Sequence, residues 1–192
     1  MSDETQGFPL EQASPALSAL AEPFAPFALE NQRLASLAGL EPVASIGALH
    51  PLTEGVWLSF EADKGVEMSI LPSDTGFALE MADVGSAHWV SLSFALSAEA
   101  VRSGRYVAFV VRAASEGFLS YRPYLRYLHE EGFTDQPARD FMVSSGGEKE
   151  QLCPMKIDQD ALERSHAVEA HFFFQGSNFR ADFRSIEVVL IV

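Results

Sequence analysis

Cysteine and lysine are nearly absent from this 192-residue chain. Cys153 is alone, so no intramolecular disulfide can form. Its neighbours Leu152 and Pro154 mark it as a small buried residue rather than a nucleophile. Lys64, Lys149 and Lys156 are the only lysines among 13 basic residues, against 27 acidic ones and a net charge of −14. Nucleic acids draw most of their affinity from basic side chains that neutralise phosphates, and anionic membrane surfaces recruit basic segments in the same way. Both partners are disfavoured. No run reaches the roughly 20 apolar residues that span a bilayer, so membrane insertion is not expected. The opening Met1-Ser2-Asp3-Glu4 has neither a basic nor an apolar signal region. A cytoplasmic location is the default expectation, with signal-less export left open.

Signatures of catalysis are missing too. His50, His88, His129, His166 and His171 show no H-x-x-x-H or H-E-x-x-H spacing. There is no Gly-x-Ser-x-Gly elbow, phosphate-binding loop or dinucleotide fingerprint. Ser144-Ser145-Gly146-Gly147 reads as a hairpin turn between two short strands, Phe141 to Ser144 and Gln151 to Ile157. Carboxylate pairs such as Glu130-Glu131 serve solvation in most acidic chains, and two-carboxylate catalysis depends on a separation that only the fold decides. An enzyme is therefore not the expected class.

What the chain does have is apolar alternation. Hydrophobic residues make up 47%, with 15 Phe. Val56 to Glu61, Met68 to Leu71, Phe77 to Met81, His88 to Leu96, Arg105 to Ala113, Leu119 to Leu128, Val168 to Phe174 and Phe183 to Val192 all carry strand patterns. Ser97 and Asp158 start short helical turns as N-caps. Nine or ten strands separated by turn signals predict an all-β, antiparallel sandwich over residues 54–192. Residues 1–53 form a proline-punctuated leader, with a short helix over Phe27 to Gly39 that exposes Phe27, Leu34 and Leu37 for docking. The sandwich, another copy of the chain, or a partner would serve.

Leu92-x-Phe94, Gly104-Arg105-Tyr106 opening Val107-x-Phe109-x-Val111-x-Ala113, Phe172-x-Phe174 and Phe183-x-x-Ile186-x-Val188 resemble the jelly-roll sandwiches of the galactose-binding-like and carbohydrate-binding-module superfamily. The resemblance covers residues 54 to 192 and rests on core-type positions. It implies a jelly-roll-like fold and, in many members, sugar binding without catalysis; others bind protein or are structural. Related sandwiches often hold a structural calcium where first and last strands meet, and Glu61, Asp63 and Asp182 are oxygen ligands near those places. No other cofactor is implied.

Strand parity separates two faces. If the strands share one sheet, the outer face carries Trp89, Tyr106, Arg112, Arg122, Tyr124, Arg126, His171, Phe173 and Gln175. Rings interleaved with planar polar groups suit a sugar, whose C–H face packs on a ring while its hydroxyls meet donors and acceptors at the edge. The same set suits a protein contact, and the leader or another copy of the chain could cover it. The expected function is a non-catalytic binding module for a carbohydrate. The alternative is a structural or assembly protein using the leader and this face for homo-oligomer formation or a protein partner.

Overall fold

A computed structural model describes residues 22–62, 64–73, 76–83, 87–175 and 178–192. The strands are β1 (Leu49–Thr53), β2 (Val56–Phe60), β3 (Glu67–Leu71), β4 (Phe77–Asp83), β5 (Val90–Leu96), β6 (Tyr106–His129), β7 (Gly132–Pro137), β8 (Met142–Lys156), β9 (Ala167–Gln175) and β10 (Phe179–Ile191). Among the described residues a 3-10 helix (Glu22–Phe27) leads into α1 (Ala28–Ala35) ahead of β1, and α2 (Ala98–Arg102) and α3 (Gln159–Glu163) join strands. Ser97 and Asp158 cap α2 and α3, each accepting from the backbone N–H three residues on.

All pairings between strands are antiparallel, in the order β1-β2-β5-β9-β6-β10-β4-β3, with β7 and β8 also on β6. The 24-residue β6 closes this order into a sandwich. Its first half, Tyr106 to Glu116, pairs with β10; its second half, Ser120 to Leu128, pairs with β9. Between them the register against β8 slips twice, at Ala113/Ser115 and Ser115/Phe118. Gly117 lies there at φ +83°, and Gly146 on β8, opposite Ser115, is at φ +74°. These are left-handed conformations that glycine adopts without a side-chain clash. Bulges of this kind bend strands so that they pass from one layer to the other. The fold is an antiparallel, jelly-roll-like β-sandwich.

Two sequence expectations change here. The break expected between the Arg105 and Leu119 segments is a bend within one strand, and Ser144 to Gly147 is a second bend rather than a hairpin turn. A bulge glycine and a turn glycine answer the same need for positive φ, so they look alike in sequence. The stretch read as a leader up to residue 53 also supplies β1, whose Thr53 pairs with Val56 of β2. Pro51 hid it. A proline is tolerated on an edge strand, and β1 is one.

Odd-numbered residues of β6 point inward on both sides of the bend. Phe109, from one layer, meets Phe172 and Phe94 of the other edge-on, with ring centres 5.2 and 6.0 Å apart. Tyr121 adds contacts to Phe172 and Phe183. Such pairs add about 0.5–1.5 kcal/mol each beyond burial. Phe27, Leu34 and Leu37 join the same core, so α1 docks on the sandwich itself. Beyond the last β4 partner, Asn31 takes the place of a neighbouring strand. Its amide donates to the Val188 carbonyl at 2.9 Å and accepts the Val188 N–H at 2.7 Å. Glu30 accepts the Ser97 N–H at 2.7 Å.

Phe109→Ala removes the ring shared by both layers and is expected to cost about 3–5 kcal/mol in urea unfolding. A loss below about 1 kcal/mol would mean that the two layers do not meet there.

Candidate functional site

Parity and register together build one patterned face on the layer β1-β2-β5-β9-β6-β7. Antiparallel pairing sets Trp57, Ser93, His171, Tyr124 and Pro137 in one row across β2, β5, β9, β6 and β7. The next row is Ser59, Ser91, Phe173 and Arg122. On the other side Glu169 faces Arg126, which faces Asp135. Strands repeat every ~4.8 Å, so the face is about 19 Å wide from β2 to β7.

The rings contact one another. His171 stacks on Phe173 at 5.7 Å and meets Trp57 edge-on at 6.2 Å. Phe173 in turn meets Trp89 at 6.5 Å and Tyr124 at 5.0 Å, both edge-on. Trp57, Ser59, Trp89, Ser91, Arg126, Glu169, His171 and Phe173 line a pocket of about 240 Å³. Arg126 is held by a two-pronged pair with Asp135, at 2.7 Å on each oxygen. That hydrogen bonding raises the guanidinium's pKa above its ordinary value. The Arg126 guanidinium also lies 3.9 Å from the centre of the Phe133 ring. Arg122 donates to the Ala138 carbonyl at 2.7 Å and lies 5.0 Å from the centre of the Phe141 ring. These donors are fixed before any ligand arrives.

Beneath the rings runs a polar chain. His171 Nε2 lies 2.9 Å from Glu169, and Nδ1 lies 2.8 Å from the Ser93 hydroxyl. Ser93 and Ser91 are 3.1 Å apart, Ser91 and Ser59 3.0 Å. A Ser–His–Glu order is shared with nucleophilic triads. Here Ser93 is fully buried and bonded on its other side to Ser91, so its oxygen is not presented to a substrate.

Of the residues expected on one face, Trp89, Arg122, Tyr124, Arg126, His171 and Phe173 come together. Gln175 lies at the exposed end of β9, opposite Ser120. Tyr106 and Arg112 do not belong to this face. They precede the β6 bend and point outward from the other layer, where Arg112 pairs with Glu150 at 2.5 Å. Trp57, Ser59, Ser91, Ser93 and Glu169 were not among the expected ligand residues. The inward set Val56, Leu58 and Phe60 already leaves Trp57 and Ser59 facing out, so the same parity rule finds them.

Of the oxygen ligands expected for calcium, Asp63 lies outside the described residues. Glu61 follows β2 and accepts the backbone N–H of His88 at 3.0 Å and its ring nitrogen at 2.8 Å, which lowers its pKa. Asp182 is on β10 of the other layer, between Ala78 and Ala114. Among the described residues no three His, Cys, Asp or Glu side chains form a metal-binding group. Cys153 is buried, and burial pushes its thiol pKa up to about 11.

No protein-family model matches the chain, and no curated protein does. Solved structures do. One described as "CBM4 structure and function" superposes with a TM-score of 0.56 at 12% identity, covering 82% of this chain and 99% of that one. The CBM22-1 xylan-binding domain of Paenibacillus barcinonensis Xyn10C matches with a TM-score of 0.47 at 10% identity, over 79% and 94%. A family 11 carbohydrate-binding module from Clostridium thermocellum, in complex with a β-1,3-1,4-mixed-linked tetrasaccharide, matches with 0.48 at 11%, over 78% and 95%. The first of these superpositions shows the fold: an antiparallel, jelly-roll-like β-sandwich, as the core strands led one to expect.

Tyr124 is half-buried on the outer face, held edge-on by Phe173. Tyr124→Ala is expected to lower unfolding free energy by no more than about 1.5 kcal/mol. A loss of about 3 kcal/mol or more would place the ring in a second core.

Proposed function

We propose that this chain is a non-catalytic carbohydrate-binding module that uses the outer face of the β2-β5-β9-β6 layer. The observation that carries the proposal is the pocket in which Trp57, Trp89 and Phe173 stand around fixed polar groups of Ser59, Arg126, Glu169 and His171. A sugar ring offers an apolar C–H face to such rings and hydroxyls to the groups between them, and a pre-formed site limits the entropy lost on binding. The fold likeness to a carbohydrate-binding module supports the same reading. Residues 22 to 35 of the leader pack against β10, in the other layer.

A glycan array probed with the full chain is expected to show binding that Trp57→Ala weakens about tenfold or more. Silence from the folded protein, or binding indifferent to both Trp57→Ala and Phe173→Ala, would reject this site.

A second reading, self-association, has its own support on the opposite face. Tyr106, Leu152 and Ile191 are 38%, 63% and 41% exposed there, around Val110 and Val189. Light scattering of a self-associating protein should give an oligomer that Leu152→Asp dissociates. A monomeric wild type would reject this reading.

A further inference from the structure

The polar chain under the rings has a direction, which the donor and acceptor capacity of each group dictates. An ionised Glu169 can only accept, so His171 Nε2 at 2.9 Å carries a proton. In the neutral imidazole Nδ1 is then an acceptor, and Ser93 at 2.8 Å must donate to it. A hydroxyl has one proton. Ser93 has spent its own, so Ser91 at 3.1 Å donates to Ser93, and Ser59 at 3.0 Å donates to Ser91. Ser91 and Ser93 are 1% and 0% exposed, so water does not compete for these protons. Ser59 is half-buried and lines the pocket. With the imidazole neutral, its proton is committed inward, and it turns lone pairs alone to the ligand.

We propose that Ser59 is a specificity-determining residue of this pocket, and that Glu169, His171, Ser93 and Ser91 are positioning residues that make its hydroxyl a pure acceptor. A neutral, hydroxylated ring with a free hydroxyl donor at that position is the ligand class this favours; the same ring with that hydroxyl methylated is rejected. Protonation of His171 reverses the whole chain. Nδ1 then donates to Ser93, Ser93 to Ser91, Ser91 to Ser59, and Ser59 turns its proton outward. One charge at His171 therefore changes hydrogen-bond polarity three side chains away, through a network whose members polarise one another.

The groups facing His171 are few. On β9 there is Glu169, the direct partner. On β6, Tyr124 lies opposite and Arg126 lies beside Glu169. Asp135 on β7 occupies the Arg126 guanidinium. From β5 and β2 come Ser93 and Trp57, neither of which titrates as an acid or base near neutrality. Glu169 is thus the group in contact with His171 whose charge would offset that of a buried imidazolium.

That a sugar uses this pocket rests on the carbohydrate reading, whereas the direction of the chain does not. A test without sugar separates the two failures. Imidazole nitrogen shifts of His171 and β-carbon shifts of Ser93, Ser91 and Ser59 would be followed by NMR through a pH titration of the full chain. Neutral His171 is expected as the Nε2–H tautomer, and the three serines should shift with the His171 midpoint. In Ser91→Ala, Ser93 should still follow His171 and Ser59 should not. An Nδ1–H tautomer overturns the proposal, as does a Ser59 that ignores His171 in the wild type or follows it across the Ser91→Ala gap. A His171 that never titrates in the folded state overturns the reversal. The wild-type tautomer and Ser59 response decide even if Ser91→Ala is unstable.

Discussion

The bend in β6 is the constraint on which the rest of the molecule depends. A strand paired with β10 on one side of Gly117 and with β9 on the other belongs to both layers. Its inward side chains are shared property of the core: Phe109 comes from one layer, Tyr121 and Leu125 from the other. The bend keeps odd-numbered residues inward on both sides, so a single slip of register would turn both halves out at once. β8 bends beside it at Gly146 and keeps the pairing continuous round the corner.

The functional face inherits its order from that register. Because Leu125 and Tyr127 must point inward, Arg122, Tyr124 and Arg126 must point out, and pairing with β9 brings them against Phe173, His171 and Glu169. The serines of β5 and β2 sit beneath this layer of rings, where larger side chains would lift the rings off the sheet. Buried hydroxyls are costly when unpaired, and here each bonds to the next until the chain ends on a carboxylate. The site is rigid for the same reason that it is polar: each group fixes its neighbour. Prolines stand in strands with one partner, Pro51 in β1, which pairs with β2, and Pro154 in β8, which pairs with β6. Proline offers no N–H to a stranger's strand.

Much of this was legible in the chain, and the reasons are local. Alternation in Val107 to Ala113, Leu119 to Tyr127 and Val168 to Phe174 is a two-residue periodicity, which assigns faces wherever a strand exists. It placed Trp89, Tyr124, Arg126, His171 and Phe173 on one outer face correctly. It could not tell which sheet a segment joins, so Tyr106 and Arg112 were grouped with residues on the far side of the sandwich. Ser93, though on the outer face of its strand, and Glu169 were left out of the expected ligand residues for a related reason. Ser93 meets His171 seventy-eight positions away, and only the pairing of β5 with β9 brings it, and with it Glu169, into one chain.

The sequence alone determined an all-β sandwich, the inward set of each strand, the two capped turns at Ser97 and Asp158, and the docking residues of α1, because each follows from neighbours a few positions apart. The tertiary structure decided which half of β6 lies in which layer, that Gly117 and Gly146 bend strands instead of ending them, and that Glu169, His171 and three serines form one chain. Those outcomes depend on the register between strands that are distant in sequence, and register is set by the packing of the whole core.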